Sequence, residues 1–474
     1  MRRRLIVVAL VLGIPLAAHA LHRSSPGALL VTKGAPVVHP STRSWERYLA
    51  FSTTEDLLHT GSTGRQVYLF NLFAYDCANG FPGAPELGAC PIVPAPPIAR
   101  ITTGVGDADD PTVDRTGAII AFAADGAYAG GTGPTVGRRQ IFVQSPTTGL
   151  VRVTTATDGD CARPSLNERG GVLAFESTAS LMGPGGTSQI YLFDRRTGLL
   201  RRLTNGAGPS TRPMLNRLGT TIAFESTADL RGDGHDTGVS QIFWFDVKQN
   251  TLHQLTAGNG SSRRPWLASK VKSRPLRKLG VKKPAIFFES DATDLGGSGS
   301  GTQVYVGTTR LGDLPAVVSV TPVVAAGCTP GTTASSTPSV DASGRHLSFV
   351  STGDLLCNGT TGARLFILDM KLVPPTLYQI TGRGDVAGSV SGSLGLWFVS
   401  FTTTDDVTGA GVCGSQLHVV DFFLGHFGAA TTNGQVPLEP PPANPDLGCD
   451  DTDACTTDAC VASVCQHSPI MSCP

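Results

Sequence analysis

The chain has 474 residues, 37 of them basic and 37 acidic, with 57 Gly and 33 Pro. A net charge of zero excludes a general nucleic-acid binder, which needs a basic excess. Hydrophobic residues make up 40%, enough for a packed core, so disorder is excluded as the default state.

The chain opens with Arg2, Arg3 and Arg4, an apolar run over residues 5–18, and Ala18-His19-Ala20. A basic start, a short apolar stretch and an A-x-A end predict a secretory signal over residues 1–20. The run is shorter than the roughly 20 residues that a membrane helix needs. Its removal leaves a net charge of −3, and no transmembrane segment is expected in the mature chain.

Residues 21–432 repeat one unit. Its first anchor is the Phe of F-E-S or an equivalent: Phe51, Phe122, Phe175, Phe224, Phe288, Phe349 and Phe401. A second anchor follows 14 to 18 residues later: Gln66, Gln140, Gln189, Gln241, Gln303, Arg364 and Gln416. In the third copy four short apolar segments fall at 164–167, 172–176, 189–194 and 200–204, separated by Gly, Asn, Asp or Thr-Gly turns. Four antiparallel strands repeated about every 50 residues predict an all-β fold, a β-propeller of four-stranded blades. The anchors favour seven blades, with six or eight as alternatives.

The pattern D-x-x-G-x-x-x-A-F from Asp114 to Phe122, the F-E-S copies, and Q-I-Y-x-F-D ahead of R-x-L-T together resemble the TolB-type (WD40-like) propeller repeat. The resemblance implies the fold over roughly residues 37–434. It does not carry TolB's own role, because TolB has a separate domain ahead of its propeller and too few residues precede the first repeat here.

In such blades the a–b and c–d turns lie on one face, and the b–c and d–a connections on the other. The first group is mostly tight; the second holds the long loops 177–188, 228–240, 291–302 and 325–337. Long loops on a rigid scaffold place the functional surface on the b–c/d–a face, at the mouth of the central channel. Two insertions break the pattern. Residues 73–97 carry Cys77 and Cys90, and residues 270–283 carry seven basic side chains, read as a solvated loop rather than a site for an acidic partner.

Hydrolase elbows, phosphate loops and H-E-x-x-H are absent from the sequence, and the His residues are scattered, so no catalytic residue is assigned and the chain is read as a non-enzyme. Asp229, Asp233 and Asp236 lie among glycines and offer oxygen ligands for Ca²⁺, but without the order of a calcium loop. They are read as turn formers, with no cofactor or metal expected. Asp56, Asp229, Asp294, Asp354 and Asp406 recur at one place in the repeat and are read as turn caps.

Residues 433–448 form a Pro-rich linker, and residues 449–474 hold five of the 11 Cys: Cys449, Cys455, Cys460, Cys465 and Cys473. That density predicts a disulfide-rich tail in an oxidising compartment, and the spacings lack zinc knuckles. The C-T-x-D-x-C core at Cys455, Thr456, Asp458 and Cys460 resembles a Cys-rich repeat of slime-mould matrix proteins and secreted bacterial proteins. The likeness implies an extracellular or surface address. In the body, the spacing predicts disulfides Cys77–Cys90 and Cys328–Cys357, each stabilising by roughly 3 kcal/mol. An odd number of Cys leaves at least one without a partner in the chain.

Three blades begin with Arg-Pro at Arg163, Arg212 and Arg264, and the same three carry Glu176, Glu225 and Glu289 in F-E-S. The hairpin arithmetic sets each Arg directly opposite its Glu and predicts three cross-strand ion pairs, each contributing roughly 0.2–1 kcal/mol. The whole reads as a secreted or periplasmic propeller that binds a protein or glycan of the envelope or matrix. A lactonase- or lyase-like enzyme with a bound metal at the channel mouth is the alternative.

Overall fold

The structure, a computed structural model, describes residues 28–32, 37–41, 48–61, 63–71, 74, 98–103, 106–128, 133–232, 238–278, 280–281, 283–296, 301–308, 317–321, 333–371, 375–381, 386, 390–392, 398–403, 416–421, 456–461 and 464–469. Blade 3 shows how a unit forms. Its strands are Cys161–Leu166, Val172–Ser177, Gln189–Asp194 and Leu199–Arg202, paired antiparallel in that order, here called a to d. Asn167 starts the a–b turn. Its side chain accepts the Val172 amide at 2.9 Å, and Gly170 takes the left-handed φ of 64° that the turn requires. A Cβ at Gly170 would strike Ile119 of blade 2, so the same glycine also lets neighbouring blades close up. Asp114, Asn216 and Asp341 start the equivalent turns, which explains the D-x-x-G pattern.

Blades 1 to 6 are each built from four consecutive strands. Their a strands are Val37–Ser41, Ala108–Val113, Cys161–Leu166, Ser210–Leu215, Ser262–Ala268 and Ser335–Val340. The favoured count of seven blades is corrected to six of consecutive strands, because the seventh repeat makes no sheet from its own strands alone. It supplies three strands, Val390–Gly392, Phe398–Thr403 and Gln416–Asp421, and Ala28–Thr32 from before blade 1 completes the sheet by pairing with the last of them. Chain ends that share a sheet hold the ring shut, because opening it must break a strand ladder. Six blades of consecutive strands therefore stand beside one composite sheet that packs between blades 6 and 1. A separate hairpin pairs Thr456–Val461 with Val464–Pro469 and sets Cys460 and Cys465 in register.

The core lies between successive sheets. The anchor Phe of strand b stacks on a ring of strand c: Phe175 on Tyr191 at 5.5 Å and Phe224 on Phe243 at 5.9 Å, with Phe401 on His418 in the composite sheet. The second anchor has a different task. Gln189 Oε1 accepts the Thr204 hydroxyl, and Thr204 Oγ1 accepts the Ile190 amide, both deep in the blade. The same Gln–Thr clasp joins Gln66 to Thr102, Gln140 to Thr154, Gln241 to Thr256 and Gln303 to Thr321. Each clasp satisfies polar groups that burial would otherwise penalise.

The basic insertion at 270–283 is not a free loop. It forms a short helix, Arg274–Lys278, and buries Leu276 and Val281 among blade 5 and blade 6 core residues. The amides of Lys270 and Lys272 bond the carbonyls of Ala342 and Ser343 in the blade 6 turn. The signal, the insertion at 75–97, the linker at 433–448, and Cys77, Cys90, Cys328, Asp233, Asp236 and Asp406 lie outside the described residues.

Candidate functional site

The inner strands of blades 1 to 6 each carry an X-Pro step, the prolines being Pro40, Pro111, Pro164, Pro213, Pro265 and Pro338. Proline has no N–H to donate, so the ladder breaks there and a bulge forms. In blade 3 the register runs Ala162 with Glu176, then Ser165 with Ala174, leaving Arg163 and Pro164 in the bulge. The expected placement of Arg163 directly opposite Glu176 is therefore corrected by one residue, and likewise for Arg212 and Arg264. From the turn to Ser165 the strands keep simple hairpin register; the bulge shifts everything beyond it.

The bulge gives the residue before the proline in blades 2 to 6 a left-handed backbone. The φ values are 53° at Asp110, 47° at Arg163, 54° at Arg212, 52° at Arg264 and 50° at Thr337. Such angles cost a non-glycine residue roughly 1–2 kcal/mol. In blades 3 to 6 the return is an amide turned out of its own ladder and toward the preceding blade, whereas the Asp110 amide bonds Asp109 Oδ1 beside it. Arg163 N donates to Asp110 Oδ2 at 3.2 Å, Arg212 N to Glu176 Oε2 at 2.6 Å, Arg264 N to Glu225 Oε2 at 2.8 Å and Thr337 N to Glu289 Oε2 at 2.7 Å. One carboxylate after another thus ties blade 2 through to blade 6. Sequence covariation pointed to pairs within a blade and missed these links between blades.

The other oxygen of each Glu faces its own arginine. Arg163 Nη1 lies 2.5 Å from Glu176 Oε1, Arg212 Nε 3.1 Å from Glu225 Oε1, and Arg264 Nε 3.6 Å from Glu289 Oε1. The carboxylates are nearly buried, whereas the arginine side chains are 40, 41 and 44% exposed. Burial pushes the Glu176 and Glu289 carboxyls above their ordinary value, against the pull of Arg163 and Arg264. Arg212 also acts on Glu289 from the neighbouring blade, so the groups form one electrostatic network.

Asp110, Arg163, Arg212, Arg264 and Thr337 line a cavity of ≈ 640 Å³ along the channel. Arg163, Arg212 and Arg264 supply its cationic side; Val350, Ala363 and Val386 supply an apolar side at blade 6. The Asp residues of the loop face sit elsewhere. Asp56 accepts the Gly61 amide, Asp229 the Gly232 amide and Asp354 the Gly359 amide, each as a cap of its own turn, whereas the expected local cap at Asp294 is corrected: it accepts the amide of Asn259, 35 residues away in the connection ahead of blade 5. Among the described residues, no three His, Cys, Asp or Glu gather as metal ligands. Cys357 is disulfide-bonded, and Cys161 is a free thiol buried against Ser177.

The overall fold matches solved β-propellers. An oligogalacturonate lyase in complex with manganese shares 12% identity, over 84% of this chain and 98% of that one, at a TM-score of 0.50. A puromycin-hydrolysing peptidase of Mycobacterium tuberculosis shares 10%, over 85% of this chain and 55% of the peptidase, at 0.52. TolB of Acinetobacter baumannii shares 13%, over 82% of each chain, at 0.37. At such identities the likeness is one of fold. No family model matches the chain, and no curated protein does. Among the described residues no helix is long and apolar enough to cross a membrane.

Proposed function

We propose that the mature chain is a secreted or periplasmic, non-enzymatic propeller that binds a protein or glycan partner on its long-loop face, at the mouth of the channel. The carrying observation is the cavity of ≈ 640 Å³ with three exposed guanidiniums on its rim. Its lining of proline, arginine, small hydroxyl and apolar side chains suits recognition, which needs convergent donors on a rigid wall. In this reading residues 1–20 are a signal, 21–432 the propeller, 433–448 a spacer and 449–474 a disulfide-rich surface element. Cys77–Cys90 and Cys328–Cys357 are its body disulfides, the Arg–Glu pairs are structural clasps, and no cofactor takes part.

The test compares binding of the mature chain to envelope proteins and to a glycan array with that of two variants. One has loop residues 181–187 replaced by a short Gly-Ser link; the other has Leu218→Ser in an a–b turn of the opposite face. Loss of the captured partner in the first variant alone is the expected result. Equal binding by both variants overturns the assignment of the face. A lyase- or lactonase-like activity is the second reading, favoured by the fold shared with the manganese-bound lyase. Metal-dependent turnover of an acidic oligosaccharide or a lactone would replace the binding role.

A further inference from the structure

We propose that Arg163, Arg212 and Arg264 form a carboxylate-binding subsite in the channel mouth, suited to a small organic anion carrying several singly charged carboxylates. This deepens the binding role above and rests on it for the location of the functional face.

The backbone at this position does not require arginine. Thr337 holds the same left-handed φ and its amide makes the same bond to the preceding blade's Glu as those of Arg212 and Arg264. What the side chain does is therefore set by what it faces. Charge balance with the buried Glu residues explains one contact per arginine and no more. Arg163 uses Nη1, Arg212 approaches through Nε, and Arg264 stands 3.6 Å off. A guanidinium has five N–H donors. Among the described residues the remaining donors of these three have no partner, and all three side chains line the cavity.

The cavity volume lies within the range of roughly 300–1,000 Å³ typical of small-molecule sites. Pro164, Pro213, Met214 and Trp266 place apolar surface beside the guanidiniums, and an apolar wall strengthens a charge-assisted hydrogen bond. Three forks at equivalent positions of consecutive blades call for a ligand with several acidic groups rather than one.

A guanidinium fork fits carboxylate and phosphate alike. The neighbouring acids decide between them. Asp110, Glu176, Glu225 and Glu289 set four acidic groups beside the three arginines, so the mouth carries no cationic excess. A phosphate dianion concentrates two charges close to these carboxylates, whereas separate carboxylates set one charge against each arginine.

The experiment is calorimetric titration of the intact mature chain at fixed ionic strength with benzene-1,3,5-tricarboxylate, its uncharged triamide and inorganic phosphate. The tricarboxylate is expected to bind measurably and tighter than phosphate, and the triamide not to bind. Arg212→Gln and Arg264→Gln should each weaken binding by about tenfold or more, the worth of one hydrogen bond to a charged group. Arg212→Lys keeps the counter-ion of Glu225 and should fall between wild type and Gln; melting curves confirm that each variant is folded. Tricarboxylate binding unchanged in folded Arg→Gln variants overturns the subsite, as does equal binding of the triamide or tighter binding of phosphate. If the loop-face partner is still captured while the tricarboxylate fails to bind, the subsite falls and the binding face stands.

Discussion

Blades 3 to 5 and blade 6 carry the same bulged inner strand but join their neighbours by different means. In blades 3 to 5 a nearly buried Glu bridges its own arginine and the next blade's amide. In blade 6 the two positions hold Thr337 and Val350. The contact onward is apolar, through Val350, Leu365, Ile380, Val386, Val399 and Phe401. The backbone angle hardly changes, 50° at Thr337 against 47–54° at the arginines. One scaffold position therefore accepts an ionic or a greasy joint, and the side chains alone select which. The ionic joint adds direction and leaves donors facing the channel; the greasy joint adds only burial.

The largest expected effect lies in the cores. Phe224 and Phe349 are both fully buried and both stack on a strand c ring. Phe224→Ala and Phe349→Ala should each cost about 3–5 kcal/mol in urea unfolding. A much smaller loss at Phe349 would mean that the two regions differ in packing and not only in their joints.

The joints come next. Glu225→Ala leaves the Arg264 amide and the Arg212 side chain without their acceptor and should cost about 2 kcal/mol, the exposure of the arginine limiting the loss. Val350→Glu in blade 6 buries a carboxylate without an arginine and should cost at least as much. Adding Thr337→Arg should recover part of that loss by rebuilding the pair. A double variant no more stable than Val350→Glu alone would show that the ionic joint needs more than its two named residues.

Acid and base should separate the regions further. The Glu176 and Glu289 carboxyls are raised above their ordinary value of 4.5 because burial disfavours the charge. The folded state then holds these protons more tightly than the unfolded chain, so this part of the stability is lost as pH rises from 4.5 through the raised values. Asp341 in the blade 6 turn behaves in the opposite way. Burial opposes its charge, but His346, Ser343 and the Arg345 amide outweigh it and hold the carboxyl below 3.8. Its contribution is present above 3.8 and lost as pH falls through the lowered value. Melting temperature against pH should flatten at the upper end in Glu176→Gln and at the lower end in Asp341→Asn. Identical profiles for the two variants would contradict this assignment.

The smallest effect belongs to the Gln–Thr clasps. Thr256→Val removes a hydroxyl that Gln241 accepts and that in turn accepts the Ile242 amide. It should cost about 1 kcal/mol in urea unfolding. Blade 6 has Arg364 in place of the glutamine, yet Thr381 Oγ1 still accepts the Leu365 amide, so Thr381→Val should cost no more than Thr256→Val.

Most of the fold was legible because each unit is local. The Phe and Gln anchors recur at near-constant spacing, and the D-x-x-G and N-x-x-G turns act through bonds within five residues. Strands b and c of blade 3 fall almost where the apolar segments place them, and the Arg and Glu of each pair are 13 or 25 residues apart in the chain. Tertiary structure decided the rest. The left-handed bulge at Arg163, Arg212 and Arg264 exists because each amide finds a carboxylate 36 to 53 residues away, and no pattern of apolar spacing encodes that. The docking of 270–283 on the blade 6 turn and the use of Ala28–Thr32 to finish the last sheet are settled the same way. Sequence by itself determined what each blade is made of, through short-range turns and side-chain alternation. Only the closed ring decided which blade each carboxylate serves, because those partners meet only after the blades have packed side by side.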